Sequence, residues 1–315
     1  MGAYTTLTKA DAKKILTPFQ LGELVSLTPL SLGISNTNYR VEIKSADSTF
    51  TSFLLKISDD KGEDALKKEQ KILDYLKKLS YPFSIQSLKI KNNQSIFHFK
   101  DKVGVLFPFL KGIPPGPSDS TCKDIGFALA KLHTLHLDKE SRQIRNHEEV
   151  GFGPQAIVEY IKTPFCPIDF KDYFNEIFPD SLDTFINEKF DKGIIHGDLY
   201  YDNVLFHNDR LSNVLDFEQS GMGLFIFDLG ISISGSCLEK GQIITPLVLS
   251  YLTGYEAERP LPEKERAHLN VAILLGLFSI SLWRIKRFRE GTLDPGRRDS
   301  YQELLKRALD YNSLL

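Results

Sequence analysis

The sequence predicts an α+β fold in two lobes, a small β-rich lobe over residues 1–106 and a larger, mostly helical lobe over 118–315. Three observations carry this prediction. Strand-type runs of β-branched and aromatic residues are concentrated before Gly104. The stretch Gly104 to Pro117 holds Gly112, Pro114, Pro115, Gly116 and Pro117, which forbid regular structure, and residues 107–117 read as a connector. Beyond it, apolar residues recur at helical spacing.

Element by element, Thr8 with Asp11 is a capping box that opens a short helix. Tyr39 to Ile43, Phe50 to Ile57, Ser87 to Ile90 and Ile96 to Phe99 read as strands, separated by polar turns such as Lys91-Asn92-Asn93. One helix interrupts them, from Glu63 to Leu79. After the connector, Ser120 to Leu137 carries Ile125, Ala128, Leu129, Leu132 and Leu135 at helical spacing. Leu247 to Leu315 supplies further helices, broken by Pro260, Pro262 and a turn from Gly291 through Asp294-Pro295. The longest apolar run, Leu269 to Trp283, contains Asn270, Gly276, Ser279 and Ser281. It is shorter than the ~20 residues a membrane span needs, so it reads as a buried core helix.

Composition narrows the function. Hydrophobic residues make up 42% and charged residues 25%, the balance of a globular protein rather than a disordered one. A net charge of -2 and a pI near 6.4 give no basic footprint for nucleic acid. Cys122, Cys166 and Cys237 lie far apart with no C-x-x-C pair, which points to a reducing cytosol. Met1 to Lys14 lacks the apolar core of a signal peptide. The expectation is a cytoplasmic protein with neither a membrane nor a nucleic-acid partner.

The chemistry is concentrated from Gly193 to Phe217, which reads G-I-I-H-G-D-L-Y-Y-D-N-V-L-F-H-N-D-R-L-S-N-V-L-D-F. Asp198 is followed by Asn203 five positions on and by Asp216 thirteen after that. Val204 to His207 and Leu211 to Phe217 are apolar runs joined by Asn208-Asp209, residues that tolerate tight turns. A hairpin pivoting between 208 and 209 sets Asn203 opposite Val214, with Asp216 its diagonal neighbour about 7–8 Å away. Two oxygen ligands so placed suit Mg²⁺ and leave room for phosphate oxygens. Asp198 then accepts the proton of a hydroxyl nucleophile. The plainer reading makes these acids turn and cap residues, but it leaves their spacing and the flanking His196-Gly197 unexplained.

Upstream, Lys56 lies in the apolar run Phe53-Leu54-Leu55-Lys56-Ile57, where a charge is expensive without a partner. Glu69 shares a helix face with Leu66, Leu73 and Leu76, and is the natural partner. Such a pair aims a lysine at nucleotide phosphates. Ser31 to Asn38, with Gly33, Ser35 and Asn36, sits between strand-like runs where a phosphate-covering loop belongs, though an ordinary hairpin uses the same residue types.

The H-G-D-x-x-x-x-N and D-F motifs resemble those of the aminoglycoside phosphotransferase and choline kinase superfamily, relatives of protein kinases that phosphorylate small-molecule hydroxyls. Further landmarks are similar to bacterial homoserine kinases built on that fold: Ala3-Tyr4-Thr5, Leu21-Gly22-Glu23-Leu24, Gly33 to Tyr39, Gly254-Tyr255 and Arg259-Pro260-Leu261. The resemblance implies a protein-kinase-like fold and transfer of the γ-phosphate of ATP to L-homoserine, a step towards threonine. It implies that Asp198 is the base and that Asn203 and Asp216 hold Mg²⁺. Lys56 and Glu69 orient the phosphates, and the loop of Gly33, Ser35 and Asn36 covers them. The backbone around Phe107 to Phe109 meets adenine, and Asp228 holds the loop that carries the base.

Several residues depart from that pattern. Gly197-Asp198-Leu199-Tyr200-Tyr201-Asp202-Asn203 stands where homoserine kinases commonly carry Ala-Asp-Leu-Phe-Pro-Asp-Asn. Glu218-Gln219-Ser220-Gly221 replaces apolar and aromatic residues, and Ser279 replaces an arginine. For homoserine, Asp202 or Glu218 would hold the ammonium and Arg284 or Arg287 the carboxylate. Arg284 to Arg289 also form a charge cluster typical of a solvated helix end. Choline or ethanolamine would need the acids alone. An aminoglycoside would need a wide acidic trough, where Glu256 to Glu265 offers mixed charge; a sugar is a further alternative acceptor. A nucleotide-binding pseudokinase would have lost one of Lys56, Asp198, Asn203 or Asp216, and all four are present. A non-enzymatic interaction module gives no reason for their spacing.

Overall fold

The structure is a computed structural model, and it describes residues 5–30, 36–179, 182–291 and 294–315. The chain divides into two units, residues 1–112 and 113–315.

In the first unit, α1 (Lys9–Leu16) starts at the expected capping box: Thr8 Oγ1 accepts from the Asp11 amide at 3.1 Å, and Asp11 Oδ2 accepts from the Thr8 amide at 3.0 Å. Five antiparallel strands follow: β1 (Glu23–Pro29), β2 (Asn36–Lys44), β3 (Phe50–Ser58), β4 (Ile96–Phe99) and β5 (Lys102–Pro108), in the order β1-β2-β3-β5-β4. Alternation on β2 and β3 sends Tyr39, Val41 and Ile43, with Phe53, Leu55 and Ile57, into one core with Ala12, Ile15, Leu16 and Phe19. Helix α2 (Glu63–Lys78) buries Leu66, Glu69, Ile72, Leu73 and Leu76.

Two expectations are corrected in this unit. Ser87 to Ile90 makes isolated bonds, Leu88 N–H to Leu106 O at 2.7 Å and Ile90 N–H to Gln94 O at 2.9 Å, and no ladder. Residues 104–108, read as the start of the connector, belong to β5, whose Val103, Val105, Leu106 and Phe107 are buried. Gly104 there marks close approach rather than a break, since a Cβ would lie 2.4 Å from Lys56 O and from the Phe97 ring. Strand β1 is the strand-like run expected ahead of Ser31, which the sequence left without bounds because its mixed burial pattern carries little alternation.

The second unit is mostly helical: α3 (Asp119–His133), α4 (Pro154–Tyr160), α5 (Ile168–Ile177), α6 (Asp183–Asn187), α7 (Phe225–Ser236), α8 (Thr245–Glu256), α9 (Glu263–Ala267), α10 (Leu269–Arg284) and α11 (Tyr301–Asn312). Short antiparallel pairs join β6 (Lys192–Ile195) to β9 (Gly221–Leu224), β7 (Val204–His207) to β8 (Arg210–Val214), and β10 (Leu238–Glu239) to β11 (Gln242–Ile243). Helix α3 stops at His133, short of the expected Leu137. Helix α10 runs into a π-turn at Ile285–Arg289, making one apolar helix from Leu269 to Arg289 that is long enough to cross a membrane. Of its most apolar window 72% is buried within the protein, where it packs on α7 and α11. It is the buried core helix expected, although not the short one its apolar run implied, because the π-turn extends the helix past Trp283.

Candidate active site

The site in the second unit is built on two loops tied together through backbone atoms. Strand β6 ends at Ile195 and hands over to His196-Gly197-Asp198. In the first turn of α7, Asp228 accepts from the His196 amide and the Gly197 amide, each at 2.8 Å. Its burial alone would raise its pKa, but the hydrogen bonds and the histidines beside it hold it below the usual carboxylate value. His196 Nδ1 accepts from the Asp198 amide at 3.2 Å, and Nε2–H donates to Leu215 O at 2.8 Å. Burial lowers the His196 pKa, which favours the neutral ring those two bonds require. One imidazole thus clamps the Asp198 loop to the residue before Asp216.

Asn203 closes the constellation. Its Nδ2 donates to Asp198 O at 2.7 Å and to Asp198 Oδ2 at 3.4 Å, which turns Oδ1 away from Asp198. The Leu215 amide donates to Asn203 O at 2.8 Å. The expected turn is present: Asn208 and Asp209 both have positive φ, 51° and 59°, as a type I′ hairpin needs. The expected register is not. A bulge between Leu205 and Phe206 pairs Val204 with Val214, so Asn203 faces Leu215 and Asp216 is the next residue along. Asp216 itself is left-handed, at φ 60° and ψ 62°, a region Asp tolerates better than most residues.

Asp202 reaches solvent yet is ringed by enough protein that its pKa is raised, chiefly by desolvation, with Asp216 adding and Arg284 opposing. Arg284 Nη1 also donates to Ser300 O at 2.7 Å and lies 3.3 Å from Glu303. The Arg287 guanidinium stacks 4.9 Å from the Trp283 ring. Glu218 is buried in the 3₁₀ turn after Asp216. Ser279 donates to Phe152 O at 2.7 Å, a structural use.

In the first unit, Lys56 Nζ approaches Glu69 Oε1 to 4.0 Å, and both side chains are nearly buried, at 13% and 6% exposure. Asn36 opens β2 opposite Ser58 and is buried. Gly33 and Ser35 lie outside the described residues. Phe107 pairs with Leu54, and the Phe109 amide donates to Ser52 O at 3.1 Å. Those groups are spent on β3, so by strand alternation the opposite edge is carried by Pro108 O rather than by the Phe109 amide.

Residues 26–268 match the model of the phosphotransferase enzyme family. The chain belongs to that family. The homoserine kinase of Polaromonas naphthalenivorans is 26% identical, with the whole of both chains covered. The homoserine kinase of Neisseria meningitidis serogroup B is also 26% identical, over 91% of this chain and 92% of its own. Among solved structures, amicoumacin kinase in complex with AMP-PNP and Ca²⁺ aligns with a TM-score of 0.69 at 14% identity, over 98% of each chain. A microcompartment-associated aminopropanol kinase aligns with a TM-score of 0.63 at 17% identity, covering 98% of this chain and 96% of its own. The protein-kinase-like α+β fold expected from the sequence is the fold of this phosphotransferase.

His133, Glu265, Arg145 and His147 escaped the sequence reading, and Tyr255 and Arg259 entered it only as landmarks of the resemblance. His133 Nε2–H meets Asp228 Oδ2 at 3.0 Å, and its Nδ1 meets Tyr255 Oη at 2.7 Å. Arg259 donates to Tyr255 Oη at 3.1 Å and to both oxygens of Glu265, at 2.7 and 3.0 Å. Burial lowers the His133 pKa, which favours a neutral ring with one donor and one acceptor nitrogen, and the series of bonds ends on the carboxylate that holds the His196 loop. The Gly254-Tyr255 and Arg259-Pro260-Leu261 landmarks therefore have a physical use. Arg145 and His147, on the carbonyls after Asp216, carry no local motif at all.

Gly197 has φ +78°, and a Cβ on it would lie 2.7 Å from Gln219 O and from His147 Cε1. The alanine common in homoserine kinases would clash here, so Gly197 and His147 belong together. Gly197→Ala is expected to destabilise the phosphotransferase by about 2–4 kcal/mol, from a left-handed alanine and overpacking. Denaturant unfolding reads this directly; a loss below about 0.5 kcal/mol, the scale of an ordinary surface change, would show that the loop relaxes freely.

Proposed function

We propose that this phosphotransferase moves the γ-phosphate of ATP to the hydroxyl of L-homoserine, using Mg²⁺. The observation that carries the reading is the clustering of Asp198, Asn203 and Asp216 on two loops clamped by His196. The homoserine kinase relatives, which align over nearly the full chain, support the acceptor. AMP-PNP and Ca²⁺ in the amicoumacin kinase support a nucleotide with a divalent cation.

The residues divide the work. The Asp198 carboxylate orients the acceptor hydroxyl and takes its proton as the P–O bond forms. Asn203 Oδ1 and the Asp216 carboxylate are hard oxygen donors, the set Mg²⁺ prefers. Mg²⁺, when bound, neutralises charge on the phosphates. Lys56, held by Glu69, orients the nucleotide phosphates, the segment of Gly33 and Ser35 that leads into β2 at Asn36 is their proposed cover, and the strand edge at Phe107 to Phe109 meets adenine. Asp202 holds the ammonium of homoserine and Arg284 its carboxylate, because Arg284 already bears on Asp202 electrostatically. Glu218 and Arg287 are the alternative holders of the ammonium and the carboxylate. In this reading the enzyme works in the cytosol, where Cys122, Cys166 and Cys237 remain free thiols.

One observation favours a second reading. Arg284 is already engaged by Ser300 O and Glu303, which leaves Asp202 as the simpler anchor and suits an amino alcohol without a carboxylate. ADP release measured across a panel of hydroxyl compounds separates the two. L-homoserine is expected to give the highest kcat/KM and O-phosphohomoserine as product. Tenfold better turnover of ethanolamine, choline, a sugar or an aminoglycoside would reassign the acceptor.

A further inference from the structure

We infer that Arg145 and His147 are positioning residues that hold the Asp216 loop in its metal-binding conformation; the inference rests on the reading of Asp216 as a metal ligand. Four consecutive carbonyls follow Asp216, and side chains from one short segment take all of them. Arg145 Nη2 donates to Glu218 O at 2.6 Å and to Phe217 O at 3.4 Å, and its Nε donates to Ser220 O at 2.8 Å. His147 Nδ1–H donates to Gln219 O at 2.8 Å. Both side chains are buried, at 6% and 3% exposure.

The segment is itself anchored. The Met222 amide donates to Arg145 O at 2.8 Å, Asn146 bridges to Met222, and Ser220 Oγ donates to His196 O at 3.1 Å. Arg145, His147, the Asp216 loop and the His196 loop therefore form one hydrogen-bonded assembly. Asp216 sits in a left-handed conformation that persists only when its surroundings over-determine it. The carbonyl end of a 3₁₀ turn carries partial negative charge, which a guanidinium complements and satisfies with several donors at once. Lysine carries the same charge on one nitrogen and lacks that planar fork. Releasing the carbonyls frees the backbone angles at Asp216, and with them the direction of its carboxylate.

The test uses the full chain with Mn²⁺ as probe and AMP-PNP in excess. Mn²⁺ affinity is read by electron paramagnetic resonance, and amide hydrogen exchange over residues 215–220 is read without metal. Arg145→Lys and His147→Leu are each expected to weaken Mn²⁺ about tenfold and to speed exchange in that stretch about tenfold. His147→Gln, which keeps a neutral donor for Gln219 O, is expected to stay within threefold of the parent. Leu304→Ala, a core truncation in α11, controls for stability alone and is expected to leave Mn²⁺ affinity unchanged. If Arg145→Lys does not fold, His147→Leu against His147→Gln carries the comparison. Mn²⁺ affinities within twofold of the parent in the folded strap variants would overturn the inference, as would an equal shift in Leu304→Ala. A parent that binds no Mn²⁺ would instead overturn the reading of Asp216 as a ligand.

Discussion

Asp198→Asn is expected to lower kcat by about 10²–10⁴, the usual worth of a positioned acid or base, with Mg·ATP affinity little changed. An aliphatic hydroxyl is a poor nucleophile at neutral pH, and a carboxylate within hydrogen-bond reach both aims it and takes its proton. In a loose phosphoryl-transfer transition state much of that benefit is aim. The structure makes the substitution a clean one. Two bonds that hold residue 198 in place run through its backbone: its amide to His196 Nδ1 at 3.2 Å and its carbonyl from Asn203 at 2.7 Å. Asparagine keeps both bonds and one side-chain oxygen, and loses the charge. Steady-state turnover beside calorimetric ATP binding on the same variant decides the matter. A kcat within threefold of the parent would sink the assignment, and so would a loss of turnover explained entirely by weaker nucleotide binding.

What was legible in the sequence was what is local. Asp198, Asn203 and Asp216 were found because nineteen residues of chain hold all three and a hairpin with an Asn-Asp turn brings the ends together. Lys56 and Glu69 were found because a charge inside an apolar strand and an acid on an apolar helix face each demand a partner. The bulge that shifts the hairpin by one residue left no mark: the extra residue is Ser212 on β8, between Leu211 and Asn213, and a lone serine there signals no bulge. Strand β5 was hidden because Gly104 and the prolines beyond it signal a break, whereas Gly104 serves close packing against Lys56 O. The carbonyl donors Arg145 and His147 lie 72 to 75 residues from their acceptors, and no periodicity or spacing connects them. His133 has the same character: it lies 122 residues from Tyr255 and meets it only because α3 and α8 pack together. Local patterns bring out the groups proposed to do chemistry; the groups that hold them in place are set by tertiary packing.

Asp216→Asn is expected to remove turnover almost completely, by three or more powers of ten, because it strips the anionic donor from the proposed metal site. Stabilisation of phosphoryl oxygens by a bound cation contributes several kcal/mol, and each ~1.4 kcal/mol is tenfold in rate. Asparagine is the better substitution than alanine because Asp216 stands at φ 60°, where asparagine is tolerated and alanine costs about 1–2 kcal/mol. The neighbouring bonds should survive it, since His196 grips Leu215 O and Asn203 O receives the Leu215 amide, both on the backbone. A melting temperature close to the parent's is therefore expected, and it separates a lost ligand from a lost fold. EDTA is expected to abolish parental turnover, with Mg²⁺ or Mn²⁺ restoring it. Asp216→Asn should respond to added metal only at concentrations far above those that saturate the parent. Full activity in this variant, with a divalent metal still required, would place the metal on other residues and leave the left-handed backbone at Asp216 without a function.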